Sequence, residues 1–305
     1  MTPKPIKVKS TNYYRIREWM GNYTFVVPAL LLFMIFSVYP FYRVFELSVY
    51  EWDGISPERQ YVGLAHFKDI LFHNDVFWLS VKNAFIITLL ALTVQNLVAL
   101  LLALACDREI RFGNIYRVIF YLPPVLSGIV VGLIWQWIYD GDYGLLNHLL
   151  AFLRLEHLQK AWLADGHTAL YAVAGIHMWK GFGWGFIVLL AGLQSIPREL
   201  YEAARVDGAG FWHTFRNVTL PLMIPVFILV SILTILGTMQ IFDIIVSTTR
   251  GGPGYHTEVP ITRMIGQMVG AARFGYASAM GIIFGGMLLA ISLVQIYVSK
   301  KMRRV

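Results

Sequence analysis

The chain has 305 residues, of which 57% are hydrophobic and only 14% charged, against about 25% charged in an ordinary soluble domain. Its formal net charge of +7 would suit nucleic acid, but the basic residues flank apolar runs, so the charge reads as a membrane-topology signal and no nucleic-acid partner is expected. A single cysteine, Cys106, excludes an internal disulfide.

The apolar residues gather into six runs, roughly 24–42, 84–105, 115–138, 169–193, 222–245 and 276–298. Each is about 20 residues or longer, enough to cross a hydrocarbon core of roughly 30 Å. The predicted fold class is therefore an all-α integral membrane protein with six transmembrane helices. Six spans put both termini on one side, with loops 106–114 and 194–221. That side holds 15 of the 25 basic and 6 of the 18 acidic residues, a net +9 against −2 for the rest. The excess places both termini in the cytoplasm. The domain reading is a basic cytoplasmic segment at 1–23, a six-span transmembrane domain at 24–298, and a basic cytoplasmic tail at 299–305. The first run lacks a small-residue cleavage site and exceeds a signal-peptide core, so it reads as an uncleaved span.

In chain order, Trp19 and Tyr23 suit the interface before the first span. The outside segment 43–83 contains DILFHNDVFWLSVKNAF, which predicts an amphipathic helix lying on or beside the membrane. The second span carries Gln95 and Asn96, amides that either bond a neighbouring helix or line a pore. Pro123 and Pro124 should kink the third span, since proline removes a donor and clashes with the preceding turn. Gly128 and Gly132 allow close helix approach. In the second outside loop, GLLNHLLAFL predicts a short interfacial helix. The fourth span is the most polar. His177, Lys180 and Trp184 recur at helical spacing, and a lysine at that depth either serves function or snorkels to the outer interface. Gln240 and Asp243, three apart near the end of the fifth span, are expected on one helical face. Asp243 there calls for a water-filled cavity or a pairing with Arg250 or another helix. Gly251, Gly252 and Pro253 then predict a tight outer turn. Ala277, Gly281 and Gly285 form a small-residue seam in the sixth span, for packing within the chain or against a second subunit.

Catalytic constellations are missing. There is no phosphate-cradling Walker pattern, no metal-ligand cluster and no Gly-x-Ser-x-Gly, so an enzyme is not expected. A secondary transporter would call for inverted repeats or paired broken helices, and no internal repeat is evident. The informative polar stretch is Tyr201–Pro221. Pro197 suits a first helical turn and Arg198 to Asp207 a helix. Gly208 and Gly210 end it. A second short helix is predicted from Phe211 to Asn217, with Phe211, Phe215 and Val218 as its apolar stripe, and Pro221 and Pro225 marking the start of the fifth span. On these grounds alone the resulting L is either a linker packed on headgroups or a docking element.

The spacing Glu202-Ala203-Ala204, Gly208, then Val218-Thr219-Leu220-Pro221 resembles the EAA signature of ABC importer permeases, with Val218 where isoleucine is usual. Leu193-Gln194-Ser195-Ile196-Pro197 and Thr249-Arg250-Gly251-Gly252-Pro253 are similar to the carbohydrate-uptake branch, of the maltose and glycerol-3-phosphate permease type. The likeness runs from about residue 24. It implies a bacterial or archaeal cytoplasmic membrane, a second homologous permease, two ABC ATPase subunits, an extracytoplasmic solute-binding protein, surrounding lipid and a sugar substrate. The chain itself would bind no cofactor, ATP and magnesium being used by the ATPases. Glu202, Ala203, Ala204, Asp207, Gly208, Phe211, Phe215, Leu220 and Pro221 would form the ATPase-coupling element, with Glu202 pairing a basic group and Gly208 permitting the bend. The expected substrate path is Lys180, Trp184, Gln240 and Asp243. The alternative is an importer permease of the same kind for a non-sugar solute.

Overall fold

A computed structural model describes residues 26–107 and 113–302. The basic lead with Trp19 and Tyr23, part of the loop 106–114 and the last tail residues lie outside the described residues.

Five helices are long and apolar enough to cross a membrane. These are α1 (Val26–Leu47), α3 (Asp75–Asp107), α7 (Ala169–Gln194), the run Phe211–Thr248, and α13 (Phe274–Met302). Within the fourth run, α9 (Phe211–Thr214), α10 (Leu220–Met239) and α11 (Asp243–Thr248) are distinguished. A sixth span arises only if α4 (Gly113–Val125) and α5 (Gly128–Ile138) count as one. Shorter elements are the antiparallel pair β1 (Tyr50–Glu51) and β2 (Gln60–Tyr61), α2 (Ala65–Phe72), α6 (Leu145–Phe152), α8 (Arg198–Val206) and α12 (Pro260–Ile265).

Three boundaries differ from the sequence reading. The amphipathic stretch near residue 75 is no separate surface helix, because α3 begins at Asp75 and continues into the span. Asn74 starts it by accepting from Phe77 N–H at 2.9 Å, and its amide donates to Tyr276 Oη at 2.7 Å; an N-cap of this kind is worth about 1 kcal/mol. The third run is not one kinked helix. Pro123 and Pro124 stay inside α4, and the chain turns by 97° just beyond them, before α5. Finally, the fifth run breaks at Gln240–Phe242, so Gln240 and Asp243 do not share one helical face.

Lipid tails are as apolar as leucine, so helix association in a bilayer rests on fit rather than on water exclusion. The fit is organised around α7, the most enclosed of the five long helices, whereas α1 is the least. Near one end, Val173 and Ile176 of α7 join Ala84 and Ile87 of α3, Val131 of α5 and Ile244 of α11. Towards the other, Phe186 and Leu189 of α7 meet Ala99 of α3 and Met223 of α10. The bent pair approaches at Gly183, where a Cβ would lie 2.5 Å from the Phe120 carbonyl oxygen and 2.7 Å from Pro124. The small-residue seam of α13 packs internally only in part. Ala277 is buried, while the space beside Gly285 is open.

At the hairpin end, Asn74, Asp69 and Tyr276 tie α2, α3 and α13 together, with Tyr276 Oη donating to Asp69 Oδ2 at 2.6 Å. The short helix expected between α5 and α7 is α6. Gly183→Leu should force α4 off α7. A loss of stability of about 1–3 kcal/mol, as for other overpacked sites, is expected in thermal unfolding followed by fluorescence-detected size exclusion. A wild-type melting temperature would contradict this packing account.

Candidate functional site

Two regions collect the residues singled out by sequence. The first is the polar L. Helix α8 ends at Val206 because Gly208 takes φ +76°, the left-handed region that glycine enters without steric cost. Gly208 N–H donates to Arg205 O at 3.0 Å and Ala209 N–H to Ala204 O at 2.9 Å. This paired closure of the last carbonyls is the Schellman arrangement. Gly208 is needed for its φ alone, since nothing lies within 4 Å of where its Cβ would point.

The predicted second short helix is not separate. From α9 the chain passes through a π turn, Phe215–Thr219, directly into α10. Pro221 lacks an N–H and its ring crowds the preceding turn. Widening the helix by one residue just before it relieves that crowding. Pro221 therefore falls at the first positions of α10 and Pro225 inside it, both on a helical run that already begins at Phe211. Tyr201 Oη meets Thr219 Oγ1 at 3.2 Å, which fixes α8 to this turn.

The nine candidate residues of the L fall on different surfaces. Glu202, Phe211 and Phe215 line a cleft of about 900 Å³ with Asp107, Arg198 and Arg205. Ala203, Ala204, Asp207 and Gly208 line a shallower groove of about 520 Å³. Leu220 and Pro221 line neither and begin α10. The apolar stripe is an aromatic cluster, with Phe211 stacked on Phe215 at 6.3 Å and Trp212 edge-on to Phe215 at 6.0 Å. Val206 and Trp212 are 87% and 76% exposed. Helix α8 buries none of its residues, so it projects from the bundle.

The second region is a cavity of about 450 Å³ among α3, α7, α10 and α11. Lys180, Trp184, Gln240 and Asp243 all line it. Lys180 and Trp184 come from one face of α7, Gln240 from the break after α10, and Asp243 from the first turn of α11. Asp243 Oδ1 accepts from Ile244 N–H at 2.9 Å. Its other oxygen lies where a Gly128 Cβ would be, 1.5 Å from that position. The carboxylate thus sits against the start of α5, where the free N–H groups of a helix favour negative charge. Asp243 is placed by the cavity and by α5, and forms no ion pair with Arg250 among the described residues. His177 Nε2 lies 3.0 Å from Thr238 Oγ1, joining α7 to α10. Of the two amides in α3, Asn96 Oδ1 accepts from Thr234 Oγ1 at 3.1 Å, while Gln95 lines the cavity.

Gly251 (φ +88°) and Gly254 (φ +53°) carry the predicted tight turn, and the Gly252–Pro253 peptide is cis. Thr257 Oγ1 donates to Gly252 O at 2.7 Å, and Asn83 Nδ2 to Glu258 O at 2.9 Å. Gly251 is required here, because a Cβ would come within 2.0 Å of Glu258 Oε2. Among the described residues no group of three or more His, Cys, Asp or Glu side chains is placed to hold a metal ion.

Comparison with known proteins decides the family. Residues 95–304 match the family described as binding-protein-dependent transport system inner membrane component. The chain belongs to this family. It is similar to a probable ABC transporter permease protein of Pyrococcus horikoshii, at 33% identity over 91% of this chain and 94% of the relative. It also resembles the trehalose/maltose transport system permease protein MalF of Thermococcus litoralis, at 29% identity over 95% of this chain and 97% of the relative. A solved bacterial ABC transporter involved in import of the acidic polysaccharide alginate shares its fold. The TM-score is 0.82 with 24% identity, covering 96% of this chain and 99% of that one. The protein is thus a multi-pass membrane permease of an ABC importer, not an enzyme.

Burial pushes the Glu258 carboxyl above its ordinary value of 4.5, against the opposing pull of the Thr262 hydroxyl and the Arg263 guanidinium. A carboxyl raised in the folded state stabilises it below that ordinary value. The stabilisation is lost as pH rises through the raised value. The melting temperature of this permease should therefore fall over a pH window above 4.5 by more than that of Glu258→Gln. Parallel pH curves for the two proteins would show that burial of this carboxyl is without effect.

Proposed function

We propose that this chain is one of two permease halves of an ATP-driven importer in a bacterial or archaeal cytoplasmic membrane. The importer moves a sugar or sugar derivative delivered by an extracytoplasmic binding protein. Counting α4 with α5 as one crossing gives six, and the excess of basic residues on the side of the termini and α8 supports a cytoplasmic location for them. The observation that carries the substrate reading is the convergence of Lys180, Trp184, Gln240 and Asp243 on one cavity. An indole face together with several hydrogen-bonding groups suits a polyhydroxy ligand, and a named relative is a trehalose/maltose permease.

The projecting L is the coupling element. Glu202 offers a carboxylate to a basic group of an ATPase subunit, and Gly208 lets the chain fold back within that subunit's cleft. A second permease completes the path, and two ATPase subunits use ATP and magnesium. Closure of the ATPase pair would draw the two coupling elements together and swing the bundles between outward and inward states, a rigid-body switch between two packings.

Glu202→Lys and Gly208→Leu should each reduce sugar uptake by at least about tenfold, the loss of roughly 1.4 kcal/mol of coupling. Proteoliposomes holding the copurified importer and its binding protein provide the assay. Normal uptake with normal stimulation of ATP hydrolysis in either variant would remove the coupling assignment. Transport of a polyamine, phosphate or amino acid, with no sugar carried, would instead favour the same machine for a different solute.

A further inference from the structure

Helix α8 presents two faces. Arg198, Tyr201, Glu202 and Arg205 share one stripe at three- and four-residue spacing. They line the cleft of about 900 Å³ together with Leu104 and Asp107 of α3. Leu200, Ala203, Ala204 and Asp207 line the shallower groove on the other face. The groove face is left to a partner, whereas the cleft face looks back at the chain's own bundle. Helix α8 buries none of its residues and stands off α3 across open space. It needs a fixed point if its movement is to reach the spans.

Tyr201 supplies one. Its ring is half-buried and packs against the cluster that contains Leu193, Ile196 and Met223. Its Oη lies 3.2 Å from Thr219 Oγ1, and Thr219 is only 5% exposed. Other helical threonines return the hydroxyl to their own helix, Thr88 to Ala84 O and Thr248 to Ile244 O. Among the described residues the Thr219 hydroxyl is bonded instead to Tyr201, on a different helix. Thr219 ends the π turn Phe215–Thr219. One extra residue in a turn shifts the phase of the side chains by about 100°, the rotation of one residue. The turn that makes room for Pro221 thus also sets the direction of the Thr219 hydroxyl.

We infer that Tyr201 is a positioning residue for coupling, its hydroxyl latching α8 to the start of α10 through Thr219. This rests on reading the L as the coupling element. A push on α8 then reaches the chain one residue before Leu220, where α10 begins, and α10 leads to Gln240 on the cavity wall. Without the latch the same push tilts α8 into its cleft, and ATP is hydrolysed with less solute moved.

The test uses the complete importer with its binding protein in proteoliposomes. The transported probe is whichever of maltose, trehalose, lactose, spermidine, glutamate and inorganic phosphate most raises the binding protein's melting temperature, because the latch is indifferent to solute class. Tyr201→Phe keeps the ring seated and removes the bond. It should lower uptake per ATP hydrolysed about fivefold, the share of one ordinary hydrogen bond. The ATPase subunits should still copurify in the wild-type ratio. Thr219→Val should give the same loss, and the double variant no more than either alone, as expected for partners in one interaction. Thr219→Ser keeps the hydroxyl and should retain wild-type uptake per ATP, a pattern that general destabilisation would not give. If Tyr201→Phe fails to assemble, the contrast between Thr219→Val and Thr219→Ser decides alone. Wild-type uptake per ATP in Tyr201→Phe or Thr219→Val would overturn the latch, as would losses that multiply to about 25-fold in the double variant. Loss of the ATPase subunits from Tyr201→Phe would also overturn it, by placing the tyrosine on the docking surface. Glu202→Lys and Gly208→Leu are run alongside. Reduced uptake in these beside an unaffected Tyr201→Phe removes the latch alone, whereas normal uptake in all three removes the coupling assignment itself.

Discussion

The carboxylate of Asp243 against the backbone of Gly128 is the contact on which the rest of the membrane region depends. Two helices, α5 and α11, begin side by side there, each just after an interruption in a long apolar run. Within hydrocarbon, irregular backbone persists only where protein or a water-filled cavity covers it. Both interruptions meet this condition by facing one another across a glycine. The anion placed between them suits the positive ends of helix dipoles. A larger residue at position 128 would part the two starts, since no Cβ fits there. The cavity wall would separate with them.

Helix α7 supplies the fixed surface against which this arrangement is read. One side of it presents Lys180 and Trp184 to the cavity. Elsewhere it supplies Val173, Ile176, Phe186 and Leu189 to two clusters of packed side chains. Gly183 on the same helix brings the proline-bearing end of α4 to within touching distance. A helix with so many neighbours has little freedom to move alone. Motion within the bundle is left to the elements that join it by fewer contacts or that contain breaks.

Much of this was legible from residue order, for reasons that can be stated. Runs of about 20 apolar residues have few alternatives to crossing a bilayer, and a glycine after Asp207 stops a helix whatever surrounds it. The recurrence of Lys180 and Trp184 placed them on one face. What escaped was decided by partners distant in sequence. Proline announced a disturbance near residue 123, yet the size of the turn beyond it depends on where α7 and α11 stand. Gln240 and Asp243 seemed to share a helical face because nothing local signals the break between them. Gln95 and Asn96 looked equivalent as adjacent amides. Thr234, 138 positions further on, engages one of them, and a glycine across the interface accommodates the other. The π turns at Ala91–Gln95 and Phe215–Thr219 add a residue without altering the hydropathy pattern, so periodicity passes over them.

The helical continuity from the aromatic cluster at Phe211 to the end of α10 at Met239, with Pro225 inside it, has a mechanical consequence. From 211 to 239 the chain is one shaft, about 40 Å long at 1.5 Å per residue. A shaft neither stretches nor bends appreciably under a sideways load at its tip. It tilts or turns as a piece, and its first compliant point is the break at Gln240–Phe242. The helix is therefore the direct covalent path from the tip to the cavity wall at Gln240. There a displacement of the tip becomes movement of one wall past another, because α11 beyond the break is held by α5. The proline at position 221, which would ordinarily weaken such a shaft, is accommodated by the wider turn that precedes it. The stiffness of the connection thus depends on the same local widening that the periodicity of the sequence concealed.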